Sequence, residues 1–297
     1  MDIDLRKLRY FVAVAEELHF GRAADRLHIA QPVLSRQIRA FEDELGMPLF
    51  RRDRSGTALT PAGRQLLDDA RPLLLSAQAL RRRVVGAAAR GPMFTIGFMP
   101  GITVTPAVRA MQARHPDLEV RLLRTDWFNQ VEVIHDGRVD VSLVRLPVDV
   151  RGLQTRQLFD EPRVALLPSG HRLAGKETVM IADLADDHLL QDPDAVPEWR
   201  DVAVEVRERT RRPVPKICSV EEKLELVAGE VGIAVIPQST ARFYTRPDVV
   251  TVPVEDLSPN VVSMAWLAGR RSRLIDEFTD IASTALVAEQ HGVSPWG

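Results

Sequence analysis

The chain has 297 residues, a length that allows two or three domains, each with a sizeable hydrophobic core. Its composition, 45% hydrophobic and 27% charged, is typical of a globular protein and excludes disordered and collagen-like proteins. The formal net charge is −2, but residues 1–64 hold 11 Lys and Arg against 9 Asp and Glu, which gives +2 there and leaves −4 for the rest. Binding of a polyanion therefore depends on local clusters of charge.

The single cysteine, Cys218, excludes a disulfide within the chain, and no Cys and His cluster has the spacing of a structural zinc site. We therefore expect no metal, no cofactor and a reducing compartment. No apolar run approaches the roughly 18 residues of a membrane helix, and the N-terminus lacks the basic and apolar parts of a secretion signal. These features predict a cytoplasmic protein that has no membrane partner.

Three helices are predicted in the first 46 residues. Apolar residues spaced three or four apart predict a supporting helix over residues 5–18 and a short second helix over residues 20–27. After a one-turn connector, Pro32 suits a first helical position because that position needs no N–H donor. The apolar stripe of this third helix consists of Leu34, Ile38, Phe41 and Leu45.

The opposite face of the third helix is polar and cationic near its N-terminal end. Such a face, on a helix that follows a tight turn, is typical of a recognition helix that places side chains against base edges in the major groove. The predicted DNA contacts on this helix are Gln31, Pro32, Ser35, Arg36 and Arg39.

A short hairpin around a Ser-Gly turn is predicted directly after the third helix. Its guanidinium groups suit the phosphates beside the groove, because they match phosphate oxygens and release counterions. Such contacts position a protein on DNA more than they specify sequence. The predicted DNA contacts on this wing are Arg51, Arg52, Arg54 and Thr57.

A generic amphipathic helical hairpin with solvated charges explains each of these pieces taken singly. The order of the pieces favours another interpretation, because a groove-sized helix with a polar N-terminal face is followed at once by a basic wing. We therefore predict an α-helical winged helix-turn-helix domain over residues 1–60 that binds double-stranded DNA.

Residues 61–90 are predicted to form a linker helix, with Thr60 as its N-cap and Pro61 at its start. Its apolar residues alternate in steps of four and three, a repeat typical of a coiled-coil seam between subunits. The seam consists of Leu66, Ala70, Leu73, Ala77, Leu80, Val84 and Ala87. Pro72 predicts a kink because it removes a backbone hydrogen bond. A homodimer or homotetramer is expected, and the alternative is a helix that lies on its own domain.

Four runs in the first 63 residues have the pattern of a known family: residues 23–27 (AADRL), 30–38 (AQPVLSRQI), 42–52 (EDELGMPLFRR) and 59–63 (LTPAG). In these runs the chain resembles the LysR-type transcriptional regulators. Residues 29–38 are most similar to members that control aromatic and catechol breakdown. The resemblance implies a pairing linker helix, a periplasmic-binding-protein-like effector domain of two subdomains, and RNA polymerase as a further partner.

Beyond residue 91, short apolar runs alternate with helical stretches, which predicts an α/β effector domain with largely parallel sheets. The predicted strands are residues 94–98, 120–123, 141–144, 164–167, 233–236 and 261–267. The predicted helices are residues 106–115, 128–135, 198–210, 220–228 and 275–289. Chain crossings near residues 162 and 267 predict subdomain I over residues 91–161 and 268–297, and subdomain II over residues 162–267.

Ligands of open α/β sheets bind beyond the carboxyl ends of strands, where helix N-termini direct amides at anions. We expect Arg145 and the amides of residues 101–103 to hold a carboxylate, with Trp127 against an apolar or ring portion of an effector. The residues nominated in this way are Met99, Gly101, Ile102, Thr103, Trp127, Arg145, Gln191, Pro193, Ser219 and Val220.

Each of these residues also has a structural alternative. Ser219 and Glu222 match a capping box, Trp127 can belong to a core, and Arg145 can pair with a local carboxylate. In relatives that respond to aromatic effectors, the positions of Gly101 and Trp127 often hold Ser or Thr. The effectors of those relatives are therefore not carried over to this chain.

The sequence lacks the G-x-S-x-G, P-loop, G-x-G-x-x-G and H-E-x-x-H motifs, so we predict that the protein is not an enzyme. The predicted function is a sequence-specific DNA-binding transcriptional regulator controlled by a small-molecule effector, a carboxylate or aromatic metabolite. The alternative is a cytoplasmic small-molecule-binding protein without site-specific DNA binding.

Overall fold

The computed structural model describes residues 3–53, 56–89, 92–205, 217 and 219–290. The chain divides into two compact units, Met1–Gly86 with His135–Gly137, and Ala87–Ile134 with Arg138–Gly297. No helix within the described ranges combines the length and the apolar composition that crossing a bilayer requires.

The first unit begins with the three predicted helices, α1 (Leu5–Glu17), α2 (Phe20–Arg26) and α3 (Gln31–Leu45). Side chains cap the first two: Asp4 accepts the amide N–H of Arg6 at 2.7 Å, and His19 accepts that of Arg22 at 3.1 Å. No side chain caps α3, which has Pro32 in its first turn. The helical part of the prediction is confirmed.

The core of this unit joins the helices to the wing. The apolar stripe of α3 faces inward, with Leu34, Ile38 and Phe41 buried. The ring of Phe50, which starts the wing, lies 5.4 Å from that of Phe11 on α1 and 5.8 Å from that of Phe20 on α2, measured between centroids. The wing is therefore anchored in the same core as the helices.

The wing consists of β1 (Phe50–Asp53) and β2 (Gly56–Leu59), which pair antiparallel. Glu42 of α3 fixes its start, because Glu42 Oε1 accepts the N–H groups of Leu49 at 2.8 Å and Phe50 at 3.0 Å. One carboxylate thus sets the position of the wing against the recognition helix.

The linker helix α4 runs from Pro61 to Ala89 and continues through Pro72. Thr60 Oγ1 caps it by accepting the N–H of Gly63 at 3.0 Å. Gly63 lies close to the wing, since a Cβ there would be 2.2 Å from the Leu49 carbonyl oxygen. The predicted cap and start of the helix are confirmed.

The predicted seam of α4 divides into two parts. Leu66 and Ala70 pack into the core of their own unit, as the alternative interpretation expected. On the later turns of α4, the side chains of Leu73, Leu80 and Val84 are 44%, 57% and 62% exposed. Of the predicted seam, the later turns of the helix are therefore the part with apolar side chains open to solvent.

The remaining strands are β3 (Met93–Phe98), β4 (Glu119–Arg124), β5 (Val141–Leu146), β6 (Leu153–Glu161), β7 (Arg163–Pro168), β8 (Ala234–Pro237), β9 (Val249–Pro253) and β10 (Asn260–Leu267). The remaining helices are α5 (Thr105–Arg114), α6 (Glu132–His135), α7 (Pro197–Val202), α8 (Val220–Ala228), α9 (Gln238–Phe243) and α10 (Arg273–Gln290), with 3₁₀ turns at Ile181–Leu184 and Pro193–Ala195.

The strands form two sheets. The first has the order β4-β3-β5-β10-β6, in which β3 is parallel to β4 and β5, while β10 is antiparallel to both of its neighbours. The second has the order β8-β7-β9, and both of its pairings are antiparallel. Largely parallel sheets were therefore a wrong prediction, because α/β alternation along the chain does not fix the direction of strands that cross between sheets.

The C-terminal helix packs on the first sheet. Phe278 of α10 lies with its ring centroid 5.4 Å from that of Phe94 in β3, inside a core that also buries Met111 of α5. Helices α5 and α10 therefore share one face of this sheet.

The crossing between the sheets near residue 162 occurs where predicted, between β6 and β7. The return crossing is earlier than predicted, because β10 starts at Asn260 and already pairs with β5 and β6 of the first sheet. Residues 260–267 therefore belong with subdomain I, not with subdomain II. An apolar strand carries no local signal of which sheet it joins.

Several elements differ from the sequence prediction. Strands β6 and β9 and helix α9 were not predicted, since β6 exposes polar side chains along most of its length. Helix α6 starts only at Glu132, because Asp126 Oδ1 accepts the N–H groups of Phe128 at 2.8 Å and Asn129 at 3.0 Å and holds a turn there. Helix α7 ends at Val202, and residues 206–210 of the predicted helix lie outside the described residues.

Candidate nucleic-acid interface and ligand cleft

The N-terminal half of α3 presents a polar face to solvent. The inward stripe of Leu34 and Ile38 turns the neighbouring positions outward, so that Arg36 and Arg39 are exposed. Of the other predicted contacts on α3, Gln31 and Pro32 are exposed and Ser35 is half-buried. Neither Arg36 nor Arg39 has an ion-pair partner among the residues that the structure describes. Their guanidinium groups can therefore form bidentate contacts with guanine.

The wing arginine Arg52 has a different environment from the one predicted. Its Nη2 atom lies 3.5 Å from Glu42 Oε2, and its guanidinium carbon lies 4.3 Å from the centroid of the Phe20 ring. Burial lowers the pKa of Arg52, and the carboxylate of Glu42 opposes that shift. The expected open phosphate contact does not agree with this geometry, since the side chain folds back on its own domain.

The other predicted contacts of the wing lie on both strands of the hairpin and on its turn. Arg51 of β1 is exposed and pairs with Ala58 of β2. Thr57 of β2 is half-buried and pairs with Arg52 of β1. Arg54 lies outside the described residues.

The loop after β3 is a tight turn. The N–H of Ile102 donates to the Met99 carbonyl at 3.1 Å, and Gly101 has a φ of +83° after Pro100, the pattern of a type II turn. A Cβ at Gly101 would lie 2.5 Å from the backbone nitrogen of Thr240, so this position requires glycine. The amide of Ile102 is therefore already bonded, and the side chains of Met99 and Ile102 are buried.

Residues 101–103 line two open cavities. One has a volume of about 450 Å³ and is shared with Leu122, Arg124 and Phe243. The other has a volume of about 220 Å³ and includes Phe159 and Arg242. The loop predicted to contact an effector therefore borders space that a small molecule can enter.

Arg145 of β5 is buried rather than open to a ligand. Its Nε donates to Glu161 Oε1 at 2.6 Å, its Nη1 to the Pro100 carbonyl at 2.9 Å and its Nη2 to Ser239 Oγ at 3.0 Å. Burial lowers the pKa of Arg145, and Glu161 opposes that shift. The expectation that Arg145 is the free cation does not agree with these contacts, which match the local ion pair considered as its alternative.

Gln191 and Ser219 also have structural partners. Gln191 Oε1 accepts the N–H of Val235 at 3.0 Å, and Ser219 Oγ accepts that of Glu222 at 3.0 Å as the N-cap of α8. Pro193 starts a 3₁₀ turn and Val220 is fully buried. These four residues therefore have structural roles in the second subdomain.

Trp127 is half-buried and packs against the cores of both sheets. The Nζ atom of Lys223 lies 5.0 Å from the centroid of its indole ring. Lys223 is only 7% exposed, and burial lowers its pKa to about 8. The sequence analysis missed this residue, although its position was informative: residues 220, 223, 224 and 227 share the inward face of α8, and a lysine there is not solvated.

No group of three or more His, Cys, Asp or Glu side chains is placed to hold a metal ion within the described part of the chain.

Known proteins match both units. Residues 5–64 match the bacterial regulatory helix-turn-helix protein, lysR family, and residues 89–286 match the LysR substrate binding domain. The Hca operon transcriptional activator HcaR of Escherichia coli (strain K12) is 33% identical over 96% of this chain and 99% of its own. The probable cat1 operon transcriptional activator of Acinetobacter lwoffii is 34% identical over 83% of this chain and 84% of its own. Among solved structures, full-length BenM is 26% identical, with a TM-score of 0.52 over 99% of this chain and 100% of its own.

Proposed function

This chain belongs to the LysR family of bacterial transcriptional regulators, and on that premise we propose how it recognises DNA and which class of effector controls it. We propose that α3 reads operator bases through Arg36 and Arg39, and that the effector domain binds a small aromatic carboxylate. The match of residues 5–64 to a helix-turn-helix family does not favour a metabolite-binding protein without DNA affinity.

The observation that carries the DNA-binding proposal is the pair of exposed arginines on α3, neither of which has an ion-pair partner in the part of the chain that the structure describes. Arg36 and Arg39 lie opposite a buried stripe, so the domain core holds them on one outward face. Arginine is well suited to bidentate contact with guanine, and Gln31 on the same face can contact adenine. Arg51 and Thr57 are proposed to contact phosphates, whereas Arg52 holds the wing in place.

We propose that two copies pair through the exposed seam residues of α4. Leu73, Leu80 and Val84 leave apolar surface in solvent, which a second α4 helix would cover. A pair of subunits presents two recognition helices to half-sites about 34–36 Å apart or a multiple of that distance. A tetramer, contact with RNA polymerase and a cytoplasmic location belong to the same proposal, since a regulator acts where promoters are transcribed.

The effector class is proposed from the surroundings of the cleft. Residues 101–103 border open space, and Trp127 offers an aromatic face at the junction of the two sheets. Residues 29–38 most resemble regulators of aromatic breakdown. An aromatic ring bearing a carboxylate fits both features.

The test is a titration of the protein by fluorescence anisotropy onto DNA from upstream of its own gene, at about 0.15 M salt. A scrambled duplex of equal length is the control. Selective nanomolar binding is expected. Equal, weak binding to both duplexes and to every fragment of a genomic library would refute the proposal.

A further inference from the structure

Lys223, a lysine whose side chain is largely buried, lies on the inward face of α8. Lys223 is 7% exposed, and it makes no hydrogen bond or ion pair with any residue the structure describes. Its recorded contact is with the face of Trp127, 5.0 Å away. A buried ammonium group needs hydrogen-bond or ionic partners to offset the loss of its hydration. A cation–π contact supplies only part of that compensation.

The position of Lys223 on its helix adds to this cost. Helix α8 starts at Val220, so Lys223 follows the first turn, where the helix dipole is positive and disfavours a cation. An anion at this end of the helix would be stabilised by both the ammonium and the dipole. The lysine therefore costs stability in the free protein and gains a partner when an anion binds.

The end of β4 lies against this end of α8. Arg124 Nη2 is 3.5 Å from Glu221 Oε2, which links the last residue of the strand to the first turn of the helix. Thr125, next along the chain, has a buried hydroxyl without a hydrogen-bond partner among the described residues. Trp127, two residues later, touches the cores of both sheets. An ammonium without a polar partner among the described residues and an aromatic face therefore belong to one junction between the subdomains.

We infer that Lys223 and Trp127 form the recognition centre for an aromatic carboxylate, with the Lys223 ammonium bound to the carboxylate and the indole packed against the ring. This inference rests on the proposed effector function and gives Lys223 the role that Arg145 cannot fill, because Arg145 is saturated by Glu161, Pro100 and Ser239.

The protonation state of Lys223 agrees with this role. Burial lowers its pKa to about 8, so most molecules still carry the positive charge at pH 7. The three other lysines, Lys7, Lys176 and Lys216, provide few competing amines, and Lys176 is exposed. Lys176 is therefore a matched control for loss of a lysine charge.

The experiment measures binding of three probes to the full chain by calorimetry at pH 7: benzoate, phenylacetate and 3-phenylpropanoate. Each is compared with its neutral primary amide. Wild type is expected to bind at least one carboxylate and to bind its amide at least about tenfold more weakly, because a charge-assisted hydrogen bond is lost. Lys223→Met is expected to lose at least about tenfold in affinity for that carboxylate, and Lys223→Arg to retain part of it.

Lys176→Met is expected to bind the same carboxylate as wild type does. Three results would overturn the inference: no carboxylate binding by wild type at about 10 mM, amides bound as tightly as carboxylates, or wild-type carboxylate affinity in Lys223→Met. Thermal unfolding of each variant shows that it is folded. The DNA titration of wild type is a separate readout, so a failed effector inference and a failed DNA-binding proposal give different results.

Discussion

The Nε atom of Arg145 lies 2.6 Å from Oε1 of Glu161, and each of the two side chains exposes only 1% of its surface. Glu161 also accepts a hydrogen bond from Ser239, and Arg145 donates to the Pro100 carbonyl at 2.9 Å. These contacts join β5, the loop after β3, the crossing strand β6 and helix α9. The pair therefore braces the first subdomain against the second.

Loss of this pair is expected to destabilise the effector domain. Arg145→Met leaves the Glu161 carboxylate buried and unpaired, which costs about 3–5 kcal/mol in the free energy of unfolding. Urea unfolding measures the change. The double variant Arg145→Met with Glu161→Leu is expected to be more stable than the single one. The exposed ion pair of Arg151 with Asp149 is the control. An equal loss of unfolding free energy in Arg151→Met would contradict a bracing role for the pair of Arg145 and Glu161.

Base recognition by Arg36 predicts a loss that depends on the DNA sequence. Arg36→Ala is expected to weaken binding to the operator by about 1–3 kcal/mol and to relax the preference over scrambled DNA. Arg9 is exposed on α1 of the same unit, and Arg9→Ala removes the same charge away from the recognition face. Anisotropy titrations on both duplexes compare the variants. An equal loss of Arg36→Ala on operator and scrambled DNA would contradict a base contact.

The contacts of Arg52 predict a structural effect rather than a loss of phosphate binding. Arg52→Ala removes the ion pair with Glu42 and the cation–π contact with Phe20, and is expected to lower the unfolding free energy by about 1 kcal/mol. Arg51→Ala is expected to reduce the slope of log affinity against log salt by about 1. A similar change of slope in Arg52→Ala, without a loss of stability, would contradict the structural role of Arg52.

The pKa of Lys223 predicts how stability depends on pH. Burial lowers it from 10.5 to about 8, so between those values the unfolded chain holds more protons than the folded chain. The free energy of unfolding therefore rises with pH across that range, and at pH 7 the buried charge costs about 3 kcal/mol. Lys223→Met is expected to be more stable than wild type at pH 7, with a gap that shrinks towards pH 10.

Urea unfolding at pH 7, 8.5 and 10 measures this gap, and Lys176→Met is the control. Burial lowers the pKa of Lys223, so the experiment leaves the surrounding charged residues unchanged. Among the described residues, the charged and titratable groups on α8 and on the elements packed around it are Glu221, Glu222, Glu225, Arg124, Asp126, Arg163, Arg242, Tyr244, Arg246 and Asp248. Wild type and Lys223→Met both contain these groups, so the contributions of these groups to the two unfolding free energies cancel in the comparison. If the difference in unfolding free energy between Lys223→Met and wild type stays constant with pH, that result would contradict a charged Lys223 at pH 7.

Pairing through α4 predicts that a charge on the exposed seam separates the subunits. Leu80→Glu places a carboxylate where a second helix would approach, and is expected to shift the protein towards monomer. Gln78→Glu adds the same charge to an exposed position on the opposite face of the helix. Sedimentation velocity measures the molecular mass. An unchanged mass for Leu80→Glu would place the subunit contact elsewhere.

Local patterns predicted the first unit well, because helix stripes, caps and the basic hairpin are all signals within a few residues. The N-cap at Thr60 and the inward face of Leu34, Ile38 and Phe41 are examples. The second unit depends on contacts between distant residues. The pairing of β10 with β6, and of Arg145 with Glu161, joins positions that no local pattern connects. For that reason the sequence analysis proposed Arg145 as a free cation, whereas the structure places it in a buried ion pair.

The ammonium of Lys223 above the face of Trp127 also gives this protein a natural optical sensor. The indole emission depends on the charge and polarity beside the ring, so a molecule that displaces or neutralises that ammonium changes the colour or intensity of the emitted light. The chain has three other tryptophans, Trp199, Trp266 and Trp296, so the signal of Trp127 is the difference in emission between wild type and Trp127→Phe. A collection of metabolites can therefore be screened on the unlabelled protein, before any operator is known.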